Sequence, residues 1–329
     1  MMSSAVDRVR LLAEVPSLAG RIPPPGLLGA RPRFILDDGS VALLDADLRP
    51  SLSRRLTVPD GGRLLAATPD LHRVAVLAER LLLFGPDDDP PISLPLTADA
   101  VWPVPGGGWL VTAPGPSEPG KDWSESHLVL LLDDSGRERA RHVEDAWAAA
   151  AMILPHPTEA AAVIEFAMGQ DGSSHVLAEV VDGELAVRPV ALNEDVCIDF
   201  DAAGERLLIA PHPTEGEVAR LVGWPGLAES ARLDSAQVGW IEEGLDLYGG
   251  HLGDGSILLV AREQGVIRTD ADLGGAHLLD LPGVADDEFV EWVYPVAGLR
   301  FGVGLWSSRG RRHLLYTLDP DTVSADQLG

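Results

Sequence analysis

Six acidic residues recur along the chain at a near-constant interval: Asp60, Asp99, Asp145, Asp195, Glu243 and Glu288, separated by 39, 46, 50, 48 and 45 residues. Carboxylates repeated at one structural position and brought to a common mouth attract a hard cation such as Ca²⁺, or a cationic ligand. Taken singly, each is a solvated turn residue that caps backbone N–H groups. Tryptophans keep the same rhythm. Trp102, Trp147 and Trp292 stand two to four residues after a marker, and Trp240 stands three before Glu243. Indoles beside carboxylates suit a cationic or sugar-like ligand, or an Arg-bearing loop of a protein partner, through cation–π and stacking contacts. Packing between sheets is the competing use of these rings.

Other residues with chemical potential are fewer. Pro155-His156-Pro157-Thr158-Glu159 is repeated at 211–215, which invites a metal reading, but the strand pattern places His156 and His212 on opposite faces. The remaining histidines show no ligand spacing. The insertion 114–126 carries Trp123 with Lys121 and Asp122 beside it, and a long loop on a rigid scaffold is a frequent binding element. Cys197 is the only cysteine and sits in an apolar run, so it reads as a packed core thiol in a reducing compartment. Gly302-Val303-Gly304 lacks the strand-to-helix context of a phosphate loop, and no Gly-x-Ser-x-Gly elbow occurs.

The elements that must position these residues are short strands. From Glu194 to Ala210 the chain reads as an acidic lead, an apolar strand, a Gly-bearing turn and a second apolar strand, and the same order follows each marker. From Asp60, strands are expected near 64–67, 73–77, 81–84 and 92–96, four in about forty residues, the size of one propeller blade. The period is too long for leucine-rich or ankyrin repeats, and no segment sustains a 3.6-residue pattern with caps. Val6 to Val15 fits a helix or a strand, and Arg21 to Gly26, with three consecutive prolines, is a connector.

On these units the chain resembles the β-propeller superfamily, in the loose sense shared by WD40-like and quinoprotein-like repeats. The resemblance implies an all-β, seven-bladed β-propeller running through 1–329 as a single domain, with six blades as the alternative if the first 59 residues only complete another blade. It also implies a mixed closing blade of N- and C-terminal strands, because an open blade leaves unpaired edges. In such propellers the loop from an outermost strand to the next innermost strand opens beside the central channel. Asp99, Asp145, Asp195, Glu243 and Glu288 are then expected around that mouth, on the face that also carries 114–126.

Composition bounds the partners. Hydrophobic residues make up 46% of the sequence, enough for a large core, and 35 Gly with 26 Pro supply frequent turns. A net charge of −26 repels phosphate backbones and anionic bilayers, which argues against nucleic acid and membrane as partners. Lys121 is the only lysine, a mark of a GC-rich, bacterial genome. The N-terminus has no apolar signal core and no stretch approaches a membrane span, so a soluble cytoplasmic protein is expected. With no nucleophile and base and no phosphate loop, the expected function is non-enzymatic recognition of a protein partner or small ligand, without a cofactor or with Ca²⁺ or another divalent ion at the mouth. A metal-dependent hydrolase or lactonase-like enzyme, using at least three of the five carboxylates, is the alternative. A third is a propeller whose faces serve assembly.

Overall fold

Apolar runs separated by tight turns give each strand one obvious partner, the next strand in sequence. A computed structural model describes residues 7–15, 33–86, 89–117, 124–147, 150–169, 172–192, 195–212 and 217–319. In it the chain is all-β and forms the seven antiparallel sheets of a seven-bladed β-propeller. It clusters into two compact units, residues 1–31, 46–48 and 198–329 in one and 32–45 and 49–197 in the other.

The unit built from 32–45 and 49–197 holds four sheets. The first contains β2 (Arg33–Asp37), β3 (Ser40–Leu44) and β4 (Pro50–Arg55), preceded in the chain by β1 (Val9–Glu14). Residues 33–55 therefore form a blade of their own, which settles the count at seven over six. The second sheet contains β5 (Arg63–Ala67), β6 (Val74–Leu77), β7 (Leu81–Phe84) and β8 (Ile92–Leu94). The third contains β9 (Ala100–Pro103), β10 (Trp109–Pro114), β11 (His127–Leu132) and β12 (Glu138–Glu144). The fourth contains β13 (Ala150–Pro155), β14 (Ala161–Ala167), β15 (Ser173–Val181) and β16 (Glu184–Val190).

The fifth sheet contains β17 (Val196–Phe200), whose first two residues group with the unit just described, then β18 (Arg206–Ala210), β19 (Val218–Gly223) and β20 (Ala228–Asp234). One helical turn, α1 (Ser235–Val238), leads to the sixth sheet of β21 (Leu245–His251), β22 (Ile257–Ala261), β23 (Gly265–Thr269) and β24 (His277–Leu278). The last sheet contains β25 (Phe289–Ala297), β26 (Arg300–Ser307) and β27 (Gly310–Leu318), and β1 completes it by pairing antiparallel with β27, Val9 opposite Leu318 and Glu14 opposite Leu314. The ambiguous N-terminal segment is thus a strand, and the closing blade is mixed.

Burial explains the sequence pattern. Middle strands such as β11 (His-Leu-Val-Leu-Leu-Leu) and β22 (Ile-Leu-Leu-Val-Ala) are buried along their whole length, because both faces of the sheet are covered. Outer strands such as β12 and β16 alternate between exposed and half-buried. Apolar clusters lie between consecutive sheets: Val104, Leu110, Val129, Ile153, Ile164 and Phe166 join the third and fourth, and Ile198, Leu208, Leu221, Leu245, Leu259 and Ile267 join the fifth and sixth. Each fully buried Leu or Ile contributes about 1.5–3 kcal/mol. Gly302 and Gly304, in β26, sit beneath the rings of Tyr294 and Trp292 on β25, where any Cβ would collide. That pair of glycines is an aromatic seat. No helix among the described residues is long and apolar enough to cross a membrane.

Candidate functional site

All five later markers lie where an outer strand hands over to the first strand of the next sheet: Asp99 before β9, Asp145 between β12 and β13, Asp195 before β17, Glu243 before β21 and Glu288 before β25. Their chemistry differs from one to the next. Asp99 Oδ2 lies 3.1 Å from Nε2 of His127, the first residue of β11, whose Nδ1 lies 3.2 Å from the Ala146 carbonyl. A carbonyl only accepts, so Nδ1 donates, and Nε2 donates to the carboxylate when the ring is an imidazolium. Burial opposes that charge, but the Asp99 and Ala146 acceptors outweigh it and hold the His127 pKa above its ordinary value. Ala146 is thereby fixed and buried, while Asp145 and Trp147 on either side of it point to solvent, Trp147 with 54% exposure. Glu288 is committed as well. Its carboxylate, 3% exposed, takes Arg312 Nη1 at 2.7 and 2.8 Å and the Ala285 amide at 3.0 Å, and Arg312 also pairs with Glu14 of β1. Burial alone would raise the Glu288 pKa; these donors bring it below the ordinary carboxylate value.

Glu243 is exposed, and the backbone before it is anchored by Gln264, whose amide nitrogen donates to the Trp240 carbonyl at 2.7 Å and whose oxygen accepts from the Glu242 amide at 3.0 Å. Asp195 is half-buried ahead of β17. Three of the four tryptophans pack: Trp102 against the core of the third and fourth sheets, Trp240 against that of the fifth and sixth, and Trp292 between Arg311 at 5.5 Å and the ring of His313 at 5.5 Å. Trp123 and Lys121 lie outside the described residues. The base of their insertion is closed by Ser124 Oγ, which donates to the Ser126 carbonyl at 2.8 Å, and by the Gly115 amide, which donates to the same carbonyl at 2.8 Å.

Gln264, Glu288 and Phe289 also line a groove of about 360 Å³ in the unit of 198–329, with Leu278, Leu281 and Val290 on its walls and the exposed carboxylates of Glu263 and Asp280 at its edge. Leu278 and Phe289 are 47% and 49% exposed, and the Phe289 ring lies 6.4 Å from that of Trp306, itself 49% exposed. Exposed large apolar side chains gathered at one place are the mark of an interaction surface. Sequence reasoning missed this groove, although Phe289 directly follows a marker. A cleft of about 500 Å³ in the other unit contains Arg73, but that guanidinium donates to the Gly108 and Val104 carbonyls at 2.8 and 2.9 Å and stacks over Trp109, so its charge serves packing.

The Pro-His-Pro-Thr-Glu motif is a turn device in its first copy: His156 Nδ1 accepts from the Glu159 amide at 3.1 Å between β13 and β14. His212 follows β18, and residues 213–215 of that copy fall outside the described residues. Cys197 is buried, and burial, with Glu165 and Asp195 nearby, pushes its thiol well up. The histidines, unremarkable in sequence, include one that spacing did not flag: His175 meets Glu165 and Cys197 in the one trio of His, Cys, Asp or Glu donor atoms within metal-binding reach among the described residues, and none of the markers belongs to it.

No family model matches the chain, and no curated relative does. Solved structures with which it shares the fold are β-propeller proteins. A prolyl endopeptidase aligns with a TM-score of 0.57 at 17% identity over 90% of this chain and 48% of its own, so the chain spans about half of that enzyme. YCF48 bound to D1 peptide aligns at 0.54 and 11% identity over 95% and 97%, and Kluyveromyces lactis Hsv2 at 0.52 and 10% over 87% and 93%. At such identities the likeness is one of fold.

Proposed function

We propose that the protein is a non-enzymatic recognition propeller, and that the groove beside Glu288 and Phe289 takes a segment of a protein partner that sets an Arg or Lys next to an apolar anchor. The observation that carries this is the pairing of half-exposed Leu278 and Phe289 with the exposed carboxylates of Glu263 and Asp280, on a chain of net charge −26. An apolar anchor supplies affinity once desolvated, and the field of the carboxylates selects the sign of its neighbour. Trp147 with Asp145 offers a second patch of the same chemistry. YCF48, of similar fold, is a propeller bound to a peptide, which supports this mode of use.

Selection of random peptides displayed on phage tests the reading. Basic peptides with an adjacent apolar residue are expected to be enriched, and a synthetic copy should bind about tenfold more weakly to the Leu278→Ala, Phe289→Ala double variant, the loss of about 1.4 kcal/mol. Both side chains are surface ones, so the melting temperature should not move. Enrichment without basic residues, or binding indifferent to the double variant, overturns the assignment.

A further inference from the structure

Glu165 interrupts an otherwise apolar middle strand, between Ile164 and Phe166 of β14, and is 3% exposed. Ser173 Oγ donates to its Oε1 at 3.0 Å and the Cys197 amide to its Oε2 at 3.0 Å. His175 stands opposite it in the β14–β15 ladder with its side chain wholly enclosed. Among the described residues neither ring nitrogen of His175 has a hydrogen-bond partner, and Nε2, 3.6 Å from Glu165 Oε2, is too distant for one. The Cys197 sulfur completes the group, and the three donor atoms lie within 4.8 Å of one another.

We propose that Glu165, His175 and Cys197 bind a zinc-class divalent ion that ties β14 and β15 to the start of β17. Two physical arguments support it. A buried imidazole with unsatisfied nitrogens carries a desolvation penalty, and a metal bond removes it at the nitrogen that binds. A carboxylate, a thiolate, a neutral imidazole and a divalent cation also sum to zero charge, which is what an interior tolerates. Tetrahedral bonds of about 2.0–2.3 Å require donors about 3.3–3.8 Å apart; His175 Nε2 and Glu165 Oε2, at 3.6 Å, already meet this, so the closing in falls to the Cys197 sulfur. The thiolate and imidazole select Zn²⁺ or Co²⁺ over Ca²⁺ and Mg²⁺, which separates this site from the one expected of the acidic markers. Ser173 holds the carboxylate in place, and a solvent molecule fills the fourth position. Binding replaces the thiol proton, so each ion taken up releases one proton and loading weakens as pH falls.

The test uses the full chain, unfolded with a chelator and refolded with Co²⁺. Because Cys197 is the only cysteine, a thiolate-to-cobalt charge-transfer absorption can arise from no other sulfur, and it is expected to saturate at one ion per chain. Cys197→Ala, a small apolar replacement, should fold, lose the absorption and carry no zinc by elemental analysis, and His175→Ala should lose the zinc as well. A wild-type protein that refolds without the absorption overturns the proposal, as does zinc retained at unchanged stoichiometry in both variants.

Discussion

Replacing His127 with Phe keeps a ring in place against Phe166, whose centroid lies 5.6 Å away, and deletes both hydrogen bonds that the imidazole makes. The bond to the Asp99 carboxylate at 3.1 Å is charge-assisted, worth about 1.5–3 kcal/mol, and the one to the Ala146 carbonyl at 3.2 Å is worth about 0.5–1.5. The expected destabilisation in mildly acidic buffer is therefore about 2–4.5 kcal/mol. It should depend on pH in a definite direction. The folded-state pKa of His127 is raised above the unfolded one, so the charge-assisted part is fully present below about pH 6.5 and is lost as pH rises through the folded value. Urea unfolding of both proteins at pH 5.5 and pH 9 reads this directly: the difference between them should shrink to about 0.5–1.5 kcal/mol at the higher pH, where only the Ala146 bond remains. A difference that is equal at the two pH values, or larger at pH 9, refutes the ionic character given to the His127–Asp99 contact and with it the account of why Asp99 is not a free ligand.

Three other outcomes follow from the fold. Deleting residues 1–14 removes β1 and leaves the β27 edge unpaired, so the truncated chain should be recovered as aggregate where the full chain is soluble, by size-exclusion chromatography. Gly304→Ala drives a methyl group into the Trp292 ring and should cost about 1–3 kcal/mol in urea unfolding, with a changed tryptophan fluorescence. Asp7 accepts from Arg268 Nη1 and His277 Nε2, both at 2.7 Å. Burial alone would raise its pKa, but these partners lower it, so the Asp7→Asn loss, about 1.5–3 kcal/mol at neutral pH, should fade as pH falls from about 4 through the depressed folded value.

The strand order was legible because middle strands covered on both faces must be apolar throughout, and His127–Leu132 or Ile257–Ala261 admits little else. The markers were legible for a related reason: a repeated connection repeats its turn chemistry, and all five later ones do precede the first strand of a sheet. What each carboxylate touches was not legible. Asp99 and His127 are 28 residues apart and Glu288 and Arg312 are 24 apart, distances that no local pattern encodes, since they depend on insertion length and on register inside one blade. The groove was hidden by the same circumstance, because its walls come from β23, β24 and the lead into β25 together.

The histidines show why spacing along the chain was a poor ruler. His127, His175 and His313 stand on the third strands of their sheets, β11, β15 and β27, and Arg268 stands on β23, the corresponding strand of the sixth. Three of these basic side chains lie beside an acid from another part of the chain: Asp99, Glu165 and Asp7. The fourth, His313, has no such acid among the described residues and packs against Trp292, and burial followed by the charge of Arg311 lowers its pKa. A third strand is enclosed on both faces, so a basic residue there needs a buried acid, an aromatic face or a metal. Glu165 offered the one readable clue, a carboxylate amid Ala161–Ala167. Hairpin register then places His175 directly across from it, ten residues on, whereas a metal motif on a helix would set its ligands three or four apart. Cross-strand partners in such a chain are found by pairing a polar interruption in one strand with the residue its hairpin puts opposite, a rule that brings Glu165 and His175 together from the sequence alone.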